Sequence, residues 1–416
     1  MQRRCGTAVV SGPSARPVIL KPSGILLKRL GQGHRNSPPF RLVAPVLCLW
    51  DALSWFTLVF HLTIDSDMDR SSQPFILTGL LLGLLSLFVV AAPCLAADDK
   101  PVKLTGAGAS FAAPLYFRWF RDFSREQENV TVDYQSTSTS GGVRDLIEGR
   151  IDFAGSDLRL SEEQVARVPD GVYQVPFAAG GIAVIYSLDD MPGLRLSREA
   201  LVGIYLGTIQ RWNDPKIAKD NPDIMLPDLP ITVIARSDSS GTTYKFTRYL
   251  TAISPAFADE VGTTMTPNWP DRLKRAGHLV RGRGNAGVAA NVRLIPASIG
   301  YVQYAYGFLP GIHMAALENQ AGGFVAPGEV GFEAALDSPV PERPLAAATD
   351  PAGEAAYPII ALSWLILRKS YDDPAKLPAL LSMIEYGLGP GQGVTERLGY
   401  VRLPQRIVDY VKAELR

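Results

Sequence analysis

Beyond residue 96 the chain contains no cysteine. The sequence holds three, Cys5, Cys48 and Cys94, and all precede that point. The remaining 320 residues can form neither a disulfide nor a thiolate metal site, and they carry no thiol nucleophile. A thiol-free body suits an oxidising compartment. Histidine is also scarce, with only His278 and His313 after residue 96. Zinc-ligand spacings, a G-x-S-x-G elbow and a P-loop are all missing. Positive charge is in short supply too. Lys/Arg and Asp/Glu balance at 41 each, but residues 1–96 take nine of the former and four of the latter, leaving 32 against 37. A mildly acidic body without a basic stripe excludes a nucleic-acid partner, and any anion it captures must be held by locally placed donors.

What is present begins with a leader. Residues 75–90, FILTGLLLGLLSLFVV, are apolar and uncharged, and AAPCLAADDK follows. An apolar core ending in small residues reads as a secretory signal cleaved after Ala96, with a retained membrane anchor as the alternative. Met68 opens a short n-region containing Arg70, so the signal is expected over 68–96 and residues 1–67 as a mis-start. Residues 43–60 contain a second apolar run broken by Asp51, whose alternative reading is an extra membrane segment. Pro93 beside Cys94 argues against a lipoprotein cysteine. Residues 1–96 are therefore set apart from fold reasoning.

From residue 101 short strand-like runs alternate with helix-like ones, the pattern of an α/β protein. VKLTGAGAS reads as a strand breaking into a glycine turn. Leu115, Trp119 and Phe123 then recur at helical spacing, with Pro114 in the first turn. VTVDYQ, IDFAGSD and ITVIAR read as further strands, and VRDLIEGR as a short helix. Ser161 and Gln164 form a capping box. Phe246, Tyr249, Leu250 and Ile253 mark one face of a later helix. Two long apolar runs, 175–188 and 357–367, are where the chain is expected to change lobe, and 318–356 reads as a loop-heavy surface region. The lobes are then 97–180, 181–358, and a return over 359–416.

Three turns share one design. GAGASF (106–111), STSTSGG (136–142) and RSDSSGTT (236–243) each lie between a strand and a helix and are built of Gly, Ser and Thr. A helix start presents unpaired N–H groups and a positive dipole end, glycine admits close approach, and the hydroxyls add donors. In an open α/β sheet such turns gather at one edge, where ligands bind. For any single turn, plain helix capping is the competing reading. Arg236 can offer a fork of hydrogen bonds to a tetrahedral oxyanion, with Asp238 holding the guanidinium or forming an ordinary surface ion pair. Asp157, closing IDFAGSD, is either a cap or turn residue or an acceptor. A carboxylate repels a fully ionised anion but accepts a hydrogen bond from one that keeps a proton. Phosphate at neutral pH has such a proton and sulfate has none.

In that order LTGAGASFAAPLYFRWF, STSTSGGV, IDFAGSD, IYLGTIQRWNDP, RSDSSGTTYKFTRYL, GRGNAGVAA and IGYVQYAY resemble the periplasmic phosphate-binding proteins of bacterial phosphate ABC importers. The resemblance runs from about residue 103 to the C-terminus. It implies an α/β fold of the two-lobed type II periplasmic-binding-protein kind, hinged on two crossover strands, with inorganic phosphate held in the cleft. By motif it places Ser110, Phe111, Thr139 (where the family usually has serine), Asp157, Arg236, Asp238, Ser240, Gly241 and Thr242 at the phosphate. Ala286 stands where the family often has an acidic or polar residue, which bears on a minor cleft contact. The implied partners are the permease and ATPase of an ABC importer, the implied state a monomer in the periplasm, with no cofactor and no metal. A hydrolase would need a base beside its serine, and the two histidines sit in loop-like stretches away from the turns. The expectation is a binding protein and not an enzyme. The alternatives are an extracytoplasmic phosphohydrolase using the same serines and a receptor for another oxyanion, against which Asp157 argues.

Overall fold

The structure, a computed structural model, describes residues 100–189, 191–337 and 349–415. The leader of residues 1–96, with its proposed signal and cleavage point, lies outside them. Twelve strands are found among the described residues. They are β1 (Val102–Gly108), β2 (Val130–Ser136), β3 (Phe153–Ser156), β4 (Val172–Ser187), β5 (Arg195–Leu196), β6 (Thr232–Arg236), β7 (Leu279–Gly282), β8 (Ser298–Gln303), β9 (His313–Met314), β10 (Ala316–Glu318), β11 (Phe324–Val325) and β12 (Ile360–Arg368). The helices of nine residues or more are α1 (Ala113–Glu126), α2 (Thr139–Ile147), α3 (Arg198–Leu206), α4 (Gly241–Ile253), α5 (Gly284–Leu294), α6 (Glu329–Asp337), α7 (Lys376–Leu388) and α8 (Gln405–Glu414).

One mixed sheet runs β2-β1-β3-β12-β4-β8-β6-β7, with β9 added to β4. At one flank β2, β1 and β3 are parallel, and at the other β8, β6 and β7 are parallel. The two flanks are joined by the antiparallel strands β12 and β4. Strand β4 does this by changing partner along its length. Its residues 172–181 pair with β12, and residues 182–187 pair with β8. Just before β12, Ile182 N–H donates to the carbonyl of Ile359 (2.9 Å), so a second crossing lies beside the first. This is the two-lobed α/β arrangement with a pair of crossover strands. A three-stranded sheet, β11-β10-β5, stands apart.

The crossover strands are apolar on both faces because both faces are covered. Val175–Ser187 and Ile360–Leu367 are buried without a break. At one flank α1 buries Leu115, Tyr116, Trp119, Phe120 and Phe123, extending the stripe expected at i, i+4 and i+8. Trp119 meets Phe177 at 5.0 Å and donates its indole N–H to Gly391 O at 2.7 Å. At the other flank Phe246 of α4 stacks on Tyr301 at 4.2 Å and 11°. Ile253, expected on that face, is half-buried.

The structure departs from the sequence reading in three places. Helix α2 begins at Thr139, inside the stretch read as a turn, because Ser138 caps it by accepting from Gly141 N–H (3.1 Å). Segment 318–356 contains α6, whose Phe332 and Leu336 are buried; alanine-rich composition there serves a packed helix, not only loops. Residues 338–348 of it lie outside the described residues. His313 sits in β9, paired to β4, with its ring 5.5 Å from that of Tyr186.

Candidate functional site

Each of the three hydroxyl-rich turns ends a parallel strand: β1 leads to α1, β2 to α2 and β6 to α4. Parallel pairing of β1 with β2 and β3 brings the first two turns and Asp157 to one edge. The β6 turn belongs to the far flank, yet side chains meet across the middle. Thr139 Oγ1 accepts from Gly241 N–H at 3.0 Å, and the hydroxyls of Ser140 and Ser239 are 2.7 Å apart. Gly241 is required here by close approach. A Cβ built on it would lie 2.4 Å from Asp157 Cβ and 2.8 Å from Asp157 Oδ2.

The predicted residues are therefore brought together. Ser110, Thr139, Asp157, Arg236, Ser240 and Thr242 are all nearly inaccessible, as are Phe111 and Gly241; only Asp238 keeps partial exposure. Capping and clustering both hold for Ser240, which caps α4 by accepting from Thr243 N–H (3.1 Å). Phe111 is a core residue whose carbonyl accepts from the Tyr400 hydroxyl at 2.6 Å. Arg236 ends β6 and is 3% exposed, so it is no surface turn residue and its pair with Asp238 is no surface ion pair.

Arg236 spends only part of its donor set on the protein. Nε donates to Asp238 Oδ1 at 2.9 Å and Nη2 to Asp238 Oδ2 at 2.5 Å. Nη1 is buried with no hydrogen-bond partner among the described residues. A buried guanidinium N–H left unpaired is costly, and Asp238 fixes its aim. Burial works to raise the Asp238 carboxyl, but the Arg236 hydrogen bonds and charge, with Gly284 N–H at 2.9 Å, outweigh it and hold the pKa below the usual carboxylate range.

Asp157 behaves in the opposite way. Burial pushes its carboxyl up to about 6, although the Ser363 hydroxyl, the charges of Arg236 and Lys245 and the Thr242 hydroxyl all pull it down. Ser363 donates to Oδ1 at 3.0 Å. Lys245, one turn into α4, is itself pushed down to about 8 by burial, with Arg248 adding to the effect and Asp157 opposing it. At neutral pH the site thus presents a carboxylate acceptor beside a fixed guanidinium.

A fourth turn, which the hydroxyl pattern did not single out, completes the cluster. Between β7 and α5, Gly284 takes a left-handed φ of +66° and donates its N–H to Asp238. Asn285 follows and is fully buried, and it touches Ser110 and Thr242. Tyr306 donates to Ser110 O at 2.7 Å. The signal was present in GRGNAG, a glycine turn of the same strand-to-helix type but lacking Ser and Thr. Ser363 gave no signal, being one polar residue in an apolar strand. Ala286 is exposed. Among the described residues, neither histidine stands beside these serines. His278 Nδ1 lies against Ile231 O at 3.0 Å, and His313 packs on Tyr186. Among the described residues, only Glu329, Glu333 and Glu396 gather as a potential metal-ligand group; two are exposed, and no further feature marks a site there.

Comparison with known proteins shows the family and the fold. The profile of the PBP superfamily domain matches residues 95–382. The phosphate-binding protein PstS of Xylella fastidiosa strain 9a5c is 37% identical over 327 residues, covering 77% of this chain and 87% of that protein. The protein of the same name from Haemophilus influenzae is 37% identical over 317 residues, covering 75% and 92%. Among solved structures, a high affinity periplasmic phosphate-binding protein (PfluDING) bound with phosphate superposes with a TM-score of 0.61 at 20% identity, over 75% of this chain and 93% of that one.

Proposed function

The chain belongs to the PBP superfamily, alongside relatives named phosphate-binding proteins, and from that membership we propose that it binds inorganic phosphate between its two lobes and delivers it to an ABC importer. The observation that carries this reading is the buried, unpaired Nη1 of Arg236 beside the buried acceptor Asp157. The first calls for an anionic oxygen and the second for a ligand proton. Hydrogen phosphate supplies both, and sulfate supplies only one.

In this reading Arg236, held by Asp238, gives the charge-assisted bond, and Asp157 takes the proton. Ser110 and Thr242 offer hydroxyls and Phe111 its backbone N–H; Gly241, whose own N–H is given to Thr139 Oγ1 here, lets the start of α4 close on Asp157, and Thr139 and Ser240 shape the turns. We place the lobes at 97–180 with 359–416 and at 181–358. We place the protein in the periplasm after cleavage near Ala96, acting as a monomer that meets a permease driven by an ATPase. No role in catalysis is assigned. Calorimetry of the secreted protein with phosphate and sulfate in parallel tests the proposal. Phosphate binding with sulfate excluded is expected. Equal affinity for the two anions, or binding of neither, overturns it.

A further inference from the structure

We propose that Asn285 is a positioning residue that turns Ser110 into an obligate hydrogen-bond donor toward the ligand, and does so only when the two flanks of the sheet are closed on each other. The inference rests on the phosphate reading above.

Ser110 Oγ receives two hydrogen bonds from the same residue. Asn285 donates its backbone N–H at 3.1 Å and its Nδ2–H at 2.9 Å. A hydroxyl oxygen has two lone pairs and one hydrogen. With both lone pairs engaged, the only hydrogen bond left to Ser110 is the one it gives, and among the described residues it gives it to none. Phosphate oxygens, apart from the single protonated one that Asp157 answers, are acceptors. A serine locked as a donor matches them, and it disfavours any ligand that would present an N–H or O–H at that point.

Asn285 can impose this because its own amide has one orientation. Its Oδ1 accepts from Gln303 N–H at 3.0 Å, so Nδ2 must face Ser110 and, at 3.4 Å, Thr242 Oγ1. Gln303 is fixed in turn, donating to Gly399 O and accepting from Ala305 N–H, each at 2.9 Å. Asn285 and Gln303 are fully buried, so no water competes for these bonds. The pair is also separated by the crossover strands. Ser110 follows β1 on one flank, and Asn285 follows β7 on the other. Opening the cleft breaks both bonds at once and leaves Ser110 free to rotate. The donor is therefore aligned by closure itself, which links ligand affinity to the closed form.

A double-mutant cycle tests this, with inorganic phosphate titrated calorimetrically into wild type, Ser110→Ala, Asn285→Ala and the double variant at neutral pH. Asn285→Ala is expected to weaken binding about tenfold in the wild-type background and by less than about threefold in the Ser110→Ala background. The same fold-loss in both backgrounds, or no loss in the single variant, overturns the proposal, since an asparagine that merely supported the fold would act whether or not the serine was present. Thermal midpoints of the ligand-free proteins are measured alongside. If Asn285→Ala does not fold, Asn285→Ser, which keeps a polar side chain at the buried position, is held to the same criterion. A wild type that binds no phosphate overturns the phosphate reading and this one with it. A wild type that binds while the cycle shows no coupling overturns this one alone.

Discussion

Arg236 and Asp157 are opposite charges buried at one site, and each is in a different predicament. Among the described residues, the guanidinium is paired on two of its nitrogens and unpaired on the third. Arg236→Ala should weaken phosphate binding by on the order of 2–5 kcal/mol, read by calorimetry. It should also lower ligand-free stability by about 1–3 kcal/mol, because Asp238 loses the partner that made its partial burial tolerable. Unchanged phosphate affinity would place the anion elsewhere. For Asp157 the folded carboxyl titrates near 6, above the ordinary 3.8, so the folded protein holds this proton more tightly than the unfolded chain does. Its contribution to stability is therefore full below about pH 4 and is lost as pH rises through about 6. Asparagine has no such proton. In phosphate-free buffer, Asp157→Asn should gain about 2–3 kcal/mol on wild type between pH 4 and pH 7.5, measured by denaturant unfolding at both. A gap that stays constant with pH would show the carboxyl to be solvated. The same variant should admit sulfate far more than it loses phosphate, since an amide can donate where the carboxylate could only repel. Continued exclusion of sulfate would move the selectivity filter to another group.

Among the elements, α4 carries the most. Its cap Ser240, its first residue Gly241 and its second residue Thr242 all lie in the site, while Phe246, Tyr249 and Leu250 anchor the same helix in the core. The anchor fixes where the N-terminus points. Gly241 is the position where packing across the cleft and helix preference disagree. Alanine is the better helix former, yet its Cβ would collide with Asp157. Gly241→Ala should thus leave ligand-free stability unchanged or slightly raised while weakening phosphate binding by about tenfold to a hundredfold, because only the closed form contains the clash. Equal losses of stability and affinity would mean that the two turns stay in contact in the ligand-free protein.

For the whole molecule, among the described residues the sheet joins its two parallel flanks through β4 and β12. Among the described residues, hydrogen bonds cross between the flanks at the site: Ser110 with Asn285 and Tyr306, Thr139 with Gly241, and Ser140 with Ser239. Such an arrangement hinges, and an anion bound by both flanks adds the free energy that favours closure. Small-angle scattering should show compaction on adding phosphate, and none with sulfate. Superimposable curves with and without phosphate would argue against a hinge.

The sequence determined on its own what depends on neighbours a few residues away. Alternating strands and helices, the α1 stripe of Leu115, Trp119 and Phe123, the Ser161 capping box and the Gly/Ser/Thr turns all follow from local periodicity and backbone preference. The motif order carried the family resemblance and with it the candidate residues. Tertiary structure alone decided which of these meet. Asp157 finds Ser363 206 residues away, Ser110 finds Asn285 175 away, and Thr139 finds Gly241 102 away. It also decided that Arg236 is buried with one nitrogen unpaired among the described residues, and that burial pushes the Asp157 carboxyl up to about 6. The physical reason is that a hydrogen-bond partner or a desolvated environment is set by strand order and packing across the sheet, and periodicity read along the chain contains neither.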